Sequence, residues 1–239
     1  VVAWGWGPGE NGALNVPEGL SNVVSVSANY GYSLALKSDG RITGWGYSLG
    51  GAHAIPTTLS NAISVSAGGY HALALKSDGT VVAWGSNGTG AALVPAGLDH
   101  VISVRAGGNL AGLALKEDGA VVAWGDSAMW TNVPPDASNI VAIAGGGNHC
   151  LALRADGRVV AWGNNSSGQI NVPSELSDVV SIAAGSGHSL AVKNDGTVVA
   201  WGAGTNYVPD FSFNKGQSVI PVELANAICA SGGSSFSLA

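Results

Sequence analysis

The pentapeptide Val-Val-Ala-Trp-Gly recurs along this chain at a nearly constant period. It occupies 1–5, 81–85, 121–125, 159–163 and 198–202, with the variant Ile-Thr-Gly-Trp-Gly at 42–46. Successive tryptophans of these segments are 41, 39, 40, 38 and 39 residues apart. A fixed period of this kind is typical of an array of one structural unit, in which neighbouring units bury each other's apolar faces. The 239 residues therefore contain six copies of a repeat of roughly 40 residues.

Each copy contains four segments that predict short β-strands, which we name A to D in chain order. Strand A is rich in β-branched residues and occupies 23–28, 62–67, 101–106, 140–145 and 179–184. Strand B is the Ser-Leu-Ala-Leu-Lys type of segment, as at 33–37 and 72–76, and strand C is the tryptophan pentapeptide. A less regular strand D leads to a Val-Pro or Ile-Pro pair. Short apolar segments bounded by Gly, Pro, Asn and Asp are typical of all-β folds.

An Asp-Gly pair links strand B to strand C, at 39–40, 78–79, 118–119, 156–157 and 195–196. Asp-Gly between two apolar runs is a strong hairpin signal and predicts a type I′ turn, in which both central residues have positive φ. Strands B and C are therefore expected to be antiparallel neighbours. The tryptophan of strand C is expected to be a buried plug between adjacent units.

A four-stranded unit of this length fits one blade of a β-propeller. We predict an all-β fold, with a single propeller domain over residues 1–239 and six four-stranded blades. The chain starts with a strand C and ends with Phe-Ser-Leu-Ala at 236–239, the first half of a strand B. Pairing of 1–5 with 234–239 would close the ring and remove exposed sheet edges. The alternative is a seven-bladed propeller with one blade outside this chain.

The segment GGYHALALKSDGTVVAWG at 68–85 resembles the repeat of the regulator of chromosome condensation family, and the resemblance covers essentially the whole chain. It implies the propeller fold and says little about function, because one fold hosts many functions. The short repeat, with Val-Pro links at 16–17 and 172–173, is more similar to secreted bacterial members that inhibit β-lactamases through aromatic and acidic loops on one face. The resemblance thus implies a bacterial protein located outside the cell or at its surface.

The distribution of charge argues against nucleic acid or a membrane as the partner. The net charge is −6, and five of the nine basic residues each stand two positions before an aspartate: Lys37, Lys76, Lys116, Arg154 and Lys193. These cations are spread one per repeat and neutralised locally, whereas a DNA-binding face needs clustered Lys and Arg. The sequence contains no apolar run of 18 residues, so we expect no membrane-spanning helix.

Signals for catalysis or for a cofactor are weak. His71, His149 and His188 occupy one repeat position, which other copies fill with tyrosine, alanine or phenylalanine. A ring of catalytic or metal-binding groups would not tolerate that mixture, so we predict structural histidines. The sequence has no Cys-x-x-Cys or His-Glu-x-x-His motif. We therefore expect neither an enzyme nor a bound cofactor or metal.

The loops differ in how much they vary between copies. In an up-and-down blade the A–B and C–D loops share one face, and the B–C and D–A links share the other. The B–C turns are nearly identical, whereas the A–B and C–D loops diverge and contain aromatic residues, which are typical interface anchors. The last C–D segment is also the longest, with 24 residues from Trp201 to Leu224 against 15 from Trp162 to Leu176. The predicted partner-binding residues are Trp6, Tyr30, Tyr47, Tyr70, Trp130, Tyr207, Phe211 and Phe213.

These features predict a non-enzymatic binding propeller that docks a protein partner through its A–B and C–D loops. A narrower version is an inhibitor of a secreted hydrolase such as a class A β-lactamase. One alternative is a carbohydrate-binding propeller that uses Trp and Tyr side chains as platforms. Another is a lyase or hydrolase with a polar central pocket.

Overall fold

The computed structural model describes residues 1–3, 12–29, 31–47, 50–108, 111–125, 128–203, 217–221, 224, 226–233 and 237–239. Within these residues the chain forms five three-stranded sheets, each in the order A, B, C, and one two-stranded sheet. The strands are β1 (Val23–Asn29), β2 (Tyr32–Lys37), β3 (Ile42–Gly46), β4 (Ala62–Ala67), β5 (His71–Lys76), β6 (Val81–Gly85), β7 (Val101–Gly107), β8 (Ala111–Lys116), β9 (Val121–Gly125), β10 (Ile140–Gly145), β11 (His149–Arg154), β12 (Val159–Gly163), β13 (Val179–Ala184), β14 (His188–Lys193), β15 (Val198–Gly202), β16 (Ser231–Gly232) and β17 (Ser237–Leu238). One short helix, α1, spans Ala128–Thr131.

The all-β prediction is confirmed, but within the described residues the five larger sheets have three strands each, where four were expected. The described segments before the Val-Pro and Ile-Pro pairs form turns: Leu93 N–H donates to Gly90 O (3.0 Å), and Val172 N–H donates to Ile170 O (2.9 Å). Proline has no N–H to donate to a strand ladder. The residues leading to the proline form local turn bonds instead of extending the sheet.

The B–C hairpins form as predicted, but their turn is of another type. In the first sheet Gly40 N–H donates to Lys37 O (3.0 Å), and Lys37 N–H donates to Arg41 O (2.8 Å). Gly40 has a φ of 76°, whereas Asp39 does not have a positive φ. The turn is thus type I followed by a left-handed glycine, and the predicted type I′ turn is wrong. The Asp39 carboxylate accepts Arg41 N–H (3.0 Å), which explains why aspartate precedes the glycine.

The strand C tryptophans are structural plugs, as predicted. Each described one is buried, and its indole N–H donates over 2.8–3.0 Å to the C–D loop carbonyl of the preceding repeat. The donor and acceptor pairs are Trp45 and Ala13, Trp84 and Ala52, Trp124 and Ala91, Trp162 and Trp130, and Trp201 and Gln169. The strand B residue opposite the indole is small, as with Ala72 opposite Trp84 and Cys150 opposite Trp162. A small residue there leaves room for the ring.

The chain packs as two compact units, residues 1–117 with 124–127 and residues 118–123 with 128–239. In the first unit Trp84 packs in one cluster with Tyr32, Leu34 and Leu36. In the second, Trp201 packs in one cluster with Leu151, Leu153 and Leu176. Alternating large and small side chains on strand B let neighbouring sheets approach closely, which gives the core its density.

The blade number, the ring closure and the single-domain boundary remain predictions. Residues 1–3 carry no strand, and Ser237–Leu238 pairs with Ser231–Gly232. Residues 4–5 and 234–236, which the predicted closing pair requires, lie outside the described residues.

Candidate functional site

The loops that follow strands A and C meet at one end of each sheet. In four sheets the residue after strand C donates its N–H over 2.8 Å to a carbonyl in the A–B loop of the same sheet. The pairs are Tyr47 with Gly31, Ser86 with Tyr70, Asn164 with Asn148, and Ala203 with Gly187. This end of the sheets, formed by the A–B and C–D loops, is here called the loop face. Each bond fixes the backbone at the point where the C–D loop leaves its strand beside the A–B loop.

Tyr47 and Tyr70 lie on adjoining loops of the first unit. Tyr47 is 55% exposed and Tyr70 is half-buried. Gly50 belongs to the C–D loop that follows Tyr47, and a Cβ at this position would overlap both the Tyr70 carbonyl and Ser86. Glycine therefore lets the C–D loop of one repeat lie against the A–B loop of the next. The structure brings together two loops that carry predicted site residues.

Other exposed apolar side chains on C–D segments were not among the predicted site residues. They are Leu93 (63% exposed) and Met129 (55%), with Leu14 and Val219 also exposed. Leu93 and Val219 hold the repeat position that is asparagine at 15, 132 and 171. An aliphatic residue in place of a polar one at a repeat position was the signal that could have identified them.

The prediction that Trp130 is an exposed loop anchor is wrong. Its side chain is only 2% exposed. It lies in helix α1, and its carbonyl accepts the indole N–H of Trp162 at 2.8 Å. Within this single helical turn Met129 faces solvent and Trp130 faces the interior. Trp130 is therefore a core residue of the second unit.

Five further predicted site residues lie outside the described part of the chain: Trp6, Tyr30, Tyr207, Phe211 and Phe213. Their assignment to the partner site stays a prediction.

The histidines at the start of strand B are buried, which confirms their structural role. His71 Nε2 bonds to Ala111 O (3.1 Å), His149 Nε2 to Ser189 Oγ (2.9 Å) and His188 Nε2 to Ser237 Oγ (2.9 Å). Each partner belongs to the next repeat. In the first sheet Tyr32 takes this position, and its hydroxyl lies 2.8 Å from both Gly68 O and His71 O. Where this position holds tyrosine or histidine, its side chain therefore forms a hydrogen bond to the next sheet.

The hydrogen bonds also determine the tautomer of two of these histidines. His71 faces a carbonyl, and His149 faces a serine hydroxyl that itself donates to Gln169 O (2.7 Å). Each Nε2 must therefore carry the proton and donate, which leaves Nδ1 as an acceptor without a partner. Burial lowers the pKa of His71 to about 4. Burial, followed by repulsion from His188, lowers the pKa of His149 to about 4. Both are neutral at physiological pH and closed off from any substrate.

Within the described residues, no group of three His, Cys, Asp or Glu side chains could hold a metal ion. None of the helices in that part of the chain is long and apolar enough to cross a bilayer.

Comparison of sequences identifies the repeat. The regulator of chromosome condensation (RCC1) repeat matches residues 62–91, 140–169 and 179–207. No curated protein matches the chain.

Comparison of structures identifies the fold. The chain is similar to Prp20p from Saccharomyces cerevisiae, with a TM-score of 0.69 and 24% identity over 88% of this chain and 66% of that one. It is also similar to the ectodomain of the Physcomitrella patens receptor kinase CR4 (TM-score 0.68, 20% identity, 89% of this chain and 56% of that one). Human WBSCR16 has a TM-score of 0.63 and 20% identity over 78% of this chain and 64% of that one. This chain thus spans two thirds or less of the length of these structures, and the likeness shows the β-propeller fold alone.

Proposed function

This chain contains repeats of the regulator of chromosome condensation family, and from that premise we propose that it is a non-enzymatic propeller that docks a protein partner through its loop face. Propellers of the RCC1 type commonly mediate protein binding. One structure of the yeast protein has Kap60 bound, and another is described with binding to Gsp1p and histones. These partners belong to the yeast protein, and they support the class of function rather than a particular partner here.

The observation that carries the proposal is the exposure of Tyr47 beside the loop of Tyr70. A tyrosine side chain supplies a large contact area and loses little conformational entropy on docking, because it has only two torsions. The Tyr47 N–H donates to Gly31 O at 2.8 Å, so the backbone at Tyr47 is fixed before a partner arrives. Less of the binding free energy is then spent on ordering the interface.

Burial of the histidines at the start of strand B supports a binding function over catalysis. A general base must reach the proton that it abstracts. His71 and His149 have no exposed surface, and their pKa values of about 4 make them poor bases near neutrality. The aromatic side chains of the loops therefore remain the candidates for function on the loop face.

For the partner we propose a secreted hydrolase such as a class A β-lactamase, and for the protein a bacterial location outside the cell or at its surface. Support comes from the short repeat with its Val-Pro links and from aromatic loop residues of the kind that such inhibitors use.

Photo-crosslinking tests the loop face directly. A benzoylphenylalanine replaces Tyr47 in one protein and Thr58 in a matched control, since Thr58 is exposed on a D–A link at the other end of the sheet. Both proteins are incubated with a bacterial culture supernatant and with a purified class A β-lactamase. We expect a crosslinked protein from position 47 only, displaced by excess unmodified chain. Equal crosslinking from both positions, or from 58 alone, would contradict the proposal.

Affinity measurements then test the residues. Tyr47→Ala is expected to weaken binding of the captured partner by about 2 kcal/mol, roughly thirtyfold in Kd, and Thr58→Ala to leave it unchanged. A glycan array distinguishes a protein ligand from a carbohydrate ligand. If the parent protein binds a glycan and Tyr47→Ala does not, the loop face binds carbohydrate instead.

A further inference from the structure

An exposed aliphatic side chain recurs at the end of the sheets opposite the loop face. One residue in each copy is 51–86% exposed at the same repeat position: Val24, Ile63, Ile102, Val141, Val180 and Ile228. A single exposed aliphatic residue is ordinary on a protein surface. Six exposed aliphatic residues at the same repeat position indicate a shared feature of the backbone.

The cause is a left-handed residue, which in the five three-stranded sheets is followed by a β-bulge. Two positions earlier, every copy has a residue with a φ of 52–58°, which is asparagine in four copies, His100 in one and Asp178 in one. Its carbonyl is held by the B–C turn, as when Asn194 N–H donates to Asp178 O (2.8 Å). The ladder then skips one residue, since Val179 pairs with Lys193 and Ser181 pairs with Val192. Val180 is the extra residue of the bulge, and its side chain turns to solvent while Val179 enters the core.

In the second unit this geometry lines a depression. Val141 and Val180 supply apolar side chains, and Arg154, Asp156 and Asp178 also line it. Arg154 is already engaged, because its Nε lies 3.3 Å from the Asp156 carboxylate and its guanidinium donates to Asp136 O (2.8 Å). The Asp178 carboxylate accepts the Ser177 hydroxyl (2.9 Å) and forms no ion pair within the described residues. The depression therefore combines two aliphatic side chains with an unneutralised carboxylate.

The charged residues around the depression indicate which kind of partner could bind in it. The described B–C turns and D–A links of the second unit carry six acidic residues, namely Asp118, Asp136, Asp156, Glu175, Asp178 and Asp195, and three basic ones, namely Arg154, Arg158 and Lys193. A second copy of the chain would bring the same negative charge against this surface, and like charges at an interface are unfavourable. A partner that carries cations beside an apolar side chain is complementary to it.

We propose that the depression formed by Val141, Val180, Asp156 and Asp178 docks a basic segment of another protein. An aliphatic side chain of that segment packs between Val141 and Val180, and an adjacent Lys or Arg pairs with Asp178. The apolar contact supplies most of the affinity, because an exposed ion pair contributes little, and the carboxylate selects the charge of the segment. This surface lies at the other end of the sheets from the loop face and goes beyond the function proposed above.

The probe is a short fluorescein-labelled peptide of alternating lysine and leucine, capped at both ends, with Glu-Leu and Lys-Ser peptides as controls. Fluorescence anisotropy at low salt is expected to show binding of the Lys-Leu peptide only, weakening as salt is added. Val180→Ser should weaken it about fivefold by removing apolar contact. Asp178→Asn should weaken it about threefold and reduce the salt dependence. Asparagine holds this left-handed position in four other copies, so the variant keeps the backbone.

The matched control is Ile102→Ser, at the same repeat position in the first unit, where His100 takes the place of Asp178. It should leave the affinity unchanged, as should Tyr47→Ala, which separates this surface from the loop face. The proposal is overturned if the Lys-Leu peptide does not bind, or if the Glu-Leu peptide binds equally. It is also overturned if Ile102→Ser weakens binding as much as Val180→Ser, or if Asp178→Asn changes neither affinity nor salt dependence.

Discussion

Acid is expected to destabilise this protein in a window set by its buried histidines. His71 and His149 have a pKa of about 4 in the fold, against 6.5 in an unfolded chain. Above pH 6.5 both histidines are neutral in the folded and in the unfolded chain. Their full contribution to the free energy of unfolding is therefore present. As the pH falls below 6.5, the unfolded chain binds protons that the folded chain does not, and the free energy of unfolding decreases. The decrease ends near pH 4, where the folded histidines also protonate.

The difference in pKa corresponds to about 3 kcal/mol of unfolding free energy for each histidine. In the middle of the window each contributes a slope of about 1.4 kcal/mol per pH unit. The turn aspartate Asp78 adds its own loss only at the acid end of this window. Hydrogen bonds from Lys76 and then Thr80 lower its pKa in the fold, so its contribution to the free energy of unfolding decreases only below about pH 5, where the unfolded carboxylate begins to protonate.

The measurement is urea unfolding followed by tryptophan fluorescence, at constant ionic strength, from about pH 7.5 to about pH 4.5. His71→Ala with His149→Ala should remove most of the slope while lowering stability at every pH. Alanine is tolerated at this position, since Ala111 occupies it in the third sheet and is fully buried. His100→Asn, at an exposed site, is the control and should keep the slope. A parent protein whose stability is flat across the window, or a double variant with the full slope, would refute the reasoning.

Three further predictions concern packing, each measured by urea unfolding. Trp84→Ala should lose about 3–5 kcal/mol, because the indole is buried and its N–H is bonded. Trp130→Ala should lose a similar amount, whereas the adjacent Met129→Ala should change stability by less than about 0.5 kcal/mol; equal losses would contradict the burial of Trp130. Gly146→Ala should cost about 1–3 kcal/mol, since a Cβ there would lie 2.5 Å from an imidazole carbon and from a carbonyl oxygen. Gly88→Ala, with nothing within 4 Å, should be neutral, and a similar cost at both glycines would contradict the steric explanation.

The tryptophan period was enough to predict the sheets and their strand order, because each element that it marks is local. The Asp-Gly pairs likewise predicted the B–C hairpins. The turn type could not be predicted from that pair, since Asp-Gly suits both a type I′ turn and a type I turn followed by a left-handed glycine. The observed turn leaves Asp39 with an ordinary φ and uses its carboxylate to accept Arg41 N–H. The prediction of strand D was wrong because its residues form local turns, as when Leu93 N–H donates to Gly90 O, instead of pairing with strand C.

The candidate site was predicted less well than the fold. Tyr47 proved exposed, but Val180 and the matching bulge residues were missed, since two adjacent aliphatic residues in strand A suggest a continuous buried strand. The signal was present in the sequence. An asparagine, aspartate or histidine two positions before an aliphatic residue, in every copy, is compatible with a left-handed residue and a shift of register. The face that a side chain takes after such a shift depends on the partner strand, which a single segment does not reveal.

Divergence between copies, taken alone, does not identify function, and Trp130 shows why. It is a departure from the alanine at positions 13, 52 and 91, yet its side chain fills the core and its carbonyl serves the same indole bond as theirs. The repeat fixes the backbone contact and leaves the side chain free to pack inward or outward. A departure is therefore informative about binding only when the side chain is also exposed and its charge or apolar surface is unmatched. Tyr47 and Asp178 meet both conditions, one at each end of the sheets, and for this reason the two proposed surfaces rest on them.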